Sequence, residues 1–141
     1  KKDRGLFTTA WALHKQEPEY VGATVHYISP GIDDGDVVYQ GRPDDIAQDD
    51  NPNSLYVKVV KLGVDMMERA IKDIENGTVQ SVPLTEKGDL YLGQMFTSKA
   101  KGTTWKKLQQ RVIPKYLNNK QARDKKVLDS MINNFSNTKI R

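Results

Sequence analysis

Gly22-Ala23-Thr24-Val25-His26-Tyr27-Ile28-Ser29-Pro30-Gly31-Ile32-Asp33-Asp34-Gly35-Asp36-Val37-Val38-Tyr39-Gln40 is the stretch on which the fold turns. Thr24, Val25, Tyr27 and Ile28 are β-branched or aromatic, so residues 22–28 read as a strand. Apolar and polar residues alternate only weakly there, which suits a strand covered on both faces. Ser29-Pro30-Gly31 stops it. Ile32-Asp33-Asp34-Gly35-Asp36 then reads as a tight acidic turn, with Gly35 expected at positive φ. Val37–Gln40 is a second short strand. A His thus ends one strand, and an Asp opens the turn that follows. In α/β sheets, ligands sit at the carboxyl ends of strands, where such loops lie. An Asp among other carboxylates, if partly buried, is expected to have a raised pKa and to accept a proton near neutral pH. The same residues also read as a plain connecting turn with solvated acids and a satisfied His, and both readings stand at this level.

Working outward, Thr8 or Thr9 is expected to cap a short helix through Ala10–His14, ended before Pro18. Residues 41–51 form a polar connection with Pro43, Asp44, Asp45, Asp49 and Asp50. The clearest helix covers Asn53–Glu75, capped by Asn51 or Asn53, with Pro52 acceptable in its first turn. Leu55, Val59, Leu62, Met66, Ala70 and Ile74 form its apolar stripe, and Asn76-Gly77 closes it. The Met66-Met67 pair reads as core. Beyond Pro83, Asp89–Leu92 is expected as a small strand, Trp105–Asn118 as a helix interrupted near Pro114, and Gln121–Phe135 as another. That last helix would carry Val127, Leu128, Met131, Ile132 and Phe135 on one face.

The chain has 141 residues, 37% hydrophobic and 28% charged, which suits one soluble globular domain. No run approaches the ~18 apolar residues that a spanning helix needs. The absence of cysteine excludes disulfides, thiolate metal sites and a Cys nucleophile, and fits a reducing, cytoplasmic setting. His14 and His26 stand in different elements without ligand spacing, so no metal site is expected. The segment Gly31–Gly35 lacks the spacing and following helix of a phosphate loop. The net charge of +4 divides unevenly: nine basic and fourteen acidic residues run through Thr85, thirteen basic and four acidic from Glu86. A basic end can attract phosphate-rich partners, but it lacks the aromatic–basic interleaving of single-strand binders. Lys1-Lys2-Asp3-Arg4 carries neither an initiator Met nor an apolar leader core, and the start is expected to be a cut inside a larger domain.

From Arg4 to Gln40 the chain resembles the folate-dependent formyltransferase family, whose members act on glycinamide ribonucleotide, methionyl-tRNA and amino sugars. The resemblance rests on Arg4-Gly5, Trp11-Ala12-Leu13, Gly22–Ile28, Gly31–Val38 and Gln40. It extends more loosely over residues 52–77 and is not carried past Glu86. It implies an α/β fold, the C-terminal half of a Rossmann-like formyltransferase domain. Residues 1–85 would be the C-terminal part of the catalytic domain, and 86–141 a basic, mostly helical extension.

The resemblance also implies roles. Asp33 sits where the family keeps its catalytic Asp, which helps take a proton from the attacking amine, and His26 sits beside it. Ser29, Pro30, Gly31, Ile32, Asp33 and Gly35 fall on the loop that wraps the pterin ring, mainly with backbone groups. The formyl donor would be 10-formyltetrahydrofolate and the acceptor a small-molecule primary amine. The family's Asn-x-His motif and Leu-Pro would lie before Arg4, so this chain is expected to be inactive without its parent polypeptide. Half a domain also buries too little of its apolar stripe, so a companion fragment or a homodimer is expected.

The helical tail argues against the methionyl-tRNA branch, whose C-terminal β-barrel grips tRNA, and exceeds what the glycinamide ribonucleotide branch needs. An amino sugar or nucleotide-linked amine is therefore the expected acceptor, with no nucleic-acid or membrane partner. A non-catalytic formyltransferase-like binding module and a tRNA-directed formyltransferase are the alternative readings. A third makes the basic tail an RNA contact on an inert domain.

Overall fold

The described chain enters through β1 (Asp3–Gly5) and turns directly into α1 (Thr8–His14). This computed structural model describes residues 3–131 and 133–135. Neither Thr8 nor Thr9 caps α1. The N-cap is Phe7, whose backbone lies in the left-handed region at φ 59° and makes no side-chain cap.

The hairpin follows, with β2 (Ala23–His26) antiparallel to β3 (Val37–Gly41). The strand is shorter than the expected 22–28: the Tyr27 N–H still reaches the Asp36 carbonyl at 2.9 Å, but Ile28 has left the sheet and is fully exposed. Ala23, Thr24 and Val25 pair with Gly41, Gln40 and Tyr39, and then the register slips so that His26 pairs with Val37. A bulge of this kind re-aims a side chain next to a loop.

The long helix α2 (Pro52–Glu75) is set by a reciprocal cap. The Asn51 side chain accepts from the N–H groups of Asn53 (2.9 Å) and Ser54 (3.3 Å), and the Asn51 N–H donates to Ser54 Oγ (2.9 Å). Asn76 ends the helix, and Gly77 takes the left-handed conformation at φ 66°. Leu55, Leu62, Met66 and Ala70 are buried as expected, whereas Ile74 is half exposed. Steps of four residues advance about 40° past a full turn each, so a 66–70–74 run drifts off the buried line. Asp73 takes the inward place instead. It accepts hydrogen bonds from the Tyr39 hydroxyl (2.5 Å) and Arg69 Nε (3.1 Å).

The tail returns to both sheets. Val82 bridges Val37 through two backbone hydrogen bonds of 2.8 and 2.9 Å. β4 (Asp89–Tyr91) lies parallel to β1. Then come α3 (Ser98–Gln109), α4 (Val112–Leu117), α5 (Lys120–Leu128) and β5 (Asn134–Phe135), the last parallel to β3. The first tail helix therefore starts at Ser98, capped by Thr97, rather than at Trp105. Its break falls at Arg111 (φ 63°), ahead of Pro114. Pro114 sits in the first turn of α4, where its missing N–H has no partner to lose. The last helix ends at Leu128 instead of continuing to Phe135. Ile132 lies outside the described residues, and Phe135 is a strand residue packed edge-on against Tyr39.

Two cores result. Leu62, Met66 and Ala70 of α2 pack on Val25, Val38 and Phe135. Ala12, Leu13, Val21, Ile46 and Leu55 pack with Val112, Ile113 and Tyr116, so the tail completes a core that the first half begins. The class is α/β with small sheets. Among the described residues no helix is long and apolar enough to cross a membrane.

Candidate functional site

β1 and β2 bring their ends to the acidic turn. The Gly5 N–H donates to Asp33 Oδ2 at 2.9 Å, and His26 Nε2 lies 3.6 Å from Asp33 Oδ1. His26 Nδ1 sits 2.9 Å from the Tyr27 carbonyl, so Nδ1 carries the proton and Nε2 faces the carboxylate as an acceptor unless the ring is charged. Asp33 itself has φ 50°. That is a strained region for most side chains and a more tolerable one for Asp. The positive φ expected at Gly35 is therefore at Asp33.

Gly35 is needed for space. A Cβ there would lie 1.8 Å from the Tyr27 carbonyl oxygen, because the turn folds back onto the end of β2.

The turn is fastened from three sides. Arg4 donates through Nη1 to the Ile32 carbonyl (2.8 Å) and through Nε to the Gly88 carbonyl (3.1 Å). Lys87 donates to Asp34 Oδ2 at 2.8 Å, and the Ser29 hydroxyl bonds the same carboxylate. Those hydrogen bonds, Lys87's first and Ser29's second, hold Asp34 below the usual carboxylate range. The displaced titration in this turn is thus at Asp34 and downward, opposite to the expected upward shift.

A cavity of about 220 Å³ opens here, lined by Arg4, Gly5, Thr8, Thr24, His26 and Asp33 among others. Ile28 and Ile32 stand exposed on the adjoining loop. Of the singled-out residues, His26, Asp33 and the Ser29–Gly35 loop come together. His14 does not: its Nδ1 meets Thr104 Oγ1 at 3.1 Å, and burial, with Lys107 nearby, lowers its pKa. No cluster of acids and histidines suited to a metal occurs among the described residues.

Two curated methionyl-tRNA formyltransferases, from Acetivibrio thermocellus and Koribacter versatilis, are each 30% identical to the chain over 82 residues, 58% of its length. A solved 4-N formyltransferase from Francisella tularensis superposes with a TM-score of 0.61 at 20% identity, covering 76% of this chain and 48% of that one. An N-formyltransferase from Helicobacter canadensis, solved with folinic acid and dTDP-3-aminofucose, gives 0.54 at 25% identity, covering 66% and 34%. The chain is similar to formyltransferases in sequence and shares their fold. It spans about a quarter of the length of the curated relatives it matches, and no protein-family model matches it.

Within this formyltransferase fold, sequence reasoning missed three contributors. Arg4 and the Gly5 N–H belonged to the matching motif, but nothing in the motif says that they hold the turn. Lys87 carried no signal at all: it meets Asp34 across 53 positions, through a tail that the resemblance does not reach.

Proposed function

We propose that this chain carries the formyl-donor side of a formyl transfer to a primary amine, with Asp33 handling the proton. The observation that supports it is the placement of Asp33: held by Gly5 on one oxygen and faced by His26 on the other, at the edge of a cavity.

The donor fits the residues present. Ser29–Gly35 offers backbone donors and acceptors, and Ile28 and Ile32 are apolar side chains exposed to water, a surface suited to a flat heterocycle. 10-Formyltetrahydrofolate would supply an activated formyl carbon there. A solved relative from Anoxybacillus kamchatkensis was crystallised with tetrahydrofolate and UDP-4,6-dideoxy-4-formamido-L-AltNAc. This supports an amino sugar or nucleotide-linked amine as acceptor.

Asp33 accepts the proton that the amine sheds on attacking the formyl carbon and returns it to the departing donor nitrogen, so protons and charge balance. With its ring charged, His26 steadies the Asp33 carboxylate through Nε2. The tetrahedral oxyanion needs polar donors aimed at it, and the Asn-x-His segment implied by the resemblance would provide them.

Titration with 5-formyltetrahydrofolate, read by Trp11 and Trp105 fluorescence and by calorimetry, tests the donor site. Saturable binding that Asp33→Ala weakens is the expected result. A folded protein that does not bind removes the proposal.

A tRNA-directed transfer is the second reading, favoured by the two curated sequence relatives. Offering the full-length polypeptide a dTDP- or UDP-linked amino sugar and, separately, aminoacylated initiator tRNA separates the two. Folate binding without turnover on any amine would instead support the non-catalytic module.

A further inference from the structure

The helix α2 has a second apolar face that the described fold leaves uncovered. Beside its inward line, Val57, Val60, Val64, Met67, Ile71 and Ile74 are each 45–65% exposed. They recur at steps of 3, 4, 3, 4 and 3, the repeat of a helix–helix seam. At 100° per residue all six fall within an arc of about 100°, in one straight stripe roughly 25 Å long. Single exposed apolar residues are ordinary, but a continuous stripe marks an interaction surface.

The two edges of the stripe differ. One merges with the protein's own core through Ala70. The other carries Lys61, Glu68 and Glu75. Lys61 makes no ion pair among the described residues, while Glu68 uses only Oε1 for its partner Lys72, at 2.7 Å.

We propose that this face pairs with α2 of a second copy, antiparallel, about a two-fold axis passing between Val64 and Met67. The stripe is then self-complementary, as an isologous contact requires. Val57 meets the partner's Ile74, Val60 the partner's Ile71, and Val64 the partner's Met67. The antiparallel sense sets charged edge against charged edge and brings Lys61 beside the partner's Glu68 twice, once per symmetric half. A parallel pairing would set the charged edge against the uncharged one and lose both pairs.

Sedimentation and light scattering on the full chain, over a hundredfold concentration range, test the pairing. A concentration-dependent dimer is expected. Val64→Glu, on an exposed position, should yield a monomer with unchanged helicity, whose melting no longer depends on concentration. Lys61→Glu should weaken association by about tenfold, and adding Glu68→Lys should restore it.

A monomer at all concentrations overturns the proposal, as does a dimer indifferent to Val64→Glu and to the charge exchange. So does a Met67→Cys thiol that is protected from labelling in a monomeric longer form of the polypeptide, since another segment would then cover the stripe. None of these readouts depends on folate or formyl transfer, so this inference and the proposed function stand or fall separately.

Discussion

The backbone N–H of Gly5 donates to the Asp33 carboxylate at 2.9 Å, tying the end of β1 to a turn 28 residues later. The preceding residue, Arg4, holds the Ile32 carbonyl of the same turn. Two consecutive residues thus fix the turn's backbone and its acid together, which keeps Asp33 at φ 50°. An orientation maintained this way would cost little reorganisation in the proton transfer proposed for Asp33.

Asp33→Asn separates binding from chemistry. Asn tolerates the left-handed backbone, and its carbonyl oxygen still accepts from Gly5, but it cannot take a proton. Reduced-folate affinity should stay within about twofold while formyl transfer falls by about a hundredfold or more, the usual scale of acid–base assistance. His26→Asn should lower the rate less. Unchanged turnover in Asp33→Asn would exclude Asp33 from the reaction.

Gly35→Ala tests the loop as a binding surface. The added methyl has no room beside the Tyr27 carbonyl, so the turn must open. Folate affinity should drop by about tenfold, with a stability loss of about 1–2 kcal/mol. Calorimetry and thermal melting read both, and unaltered affinity would place the donor elsewhere.

The buried carboxylate of Asp124 should dominate acid sensitivity. Burial alone would raise its pKa. Hydrogen bonds from Lys120 and Tyr116 (2.7 Å from the latter) and the Arg42 guanidinium at 2.8 Å outweigh that, so it titrates below the usual carboxylate range. Its pKa is therefore lower folded than unfolded. The stabilisation is present above about pH 4, near the free carboxylate value, and is lost as pH falls through the folded value. Asp124→Asn should cost about 3 kcal/mol, because Arg42 stays buried beside it, and should flatten the acid limb of stability against pH. An unchanged acid limb would assign it to other carboxylates.

Asn51→Ala should destabilise by about 1 kcal/mol, since it removes both side-chain acceptor contacts of the α2 cap. In a chain this long the melting temperature should fall by about 3 °C. Folate affinity should not change, because the cap does not line the Asp33 cavity.

Much of this protein was legible one segment at a time. The α2 helix, its Asn51 cap and Gly77 terminator and the β2–β3 hairpin follow from local residue chemistry, while the pairing of His26 with the acidic turn came from the family resemblance. That chemistry acts over a few positions, which is why a linear reading finds it. The tail was less legible. Lys- and Gln-rich stretches such as Lys99–Lys107 have little apolar periodicity, so the start of α3 at Ser98 shows only through its Thr97 cap. Arg111 carries no sign that it adopts φ 63°.

Residue order alone was enough to specify α2, the β2–β3 hairpin and the motif, because helix caps, turns and hairpins are formed among near neighbours. Tertiary packing was needed for the rest. Phe135 became a strand because β3 had an open edge, and the tail's Val112, Ile113 and Tyr116 closed a core begun by Ala12 and Leu13. Only the return of Gly88 and Lys87 to the acidic turn fastened its far side. Contacts between residues 28 to 84 positions apart depend on where whole elements dock, and no local pattern encodes that.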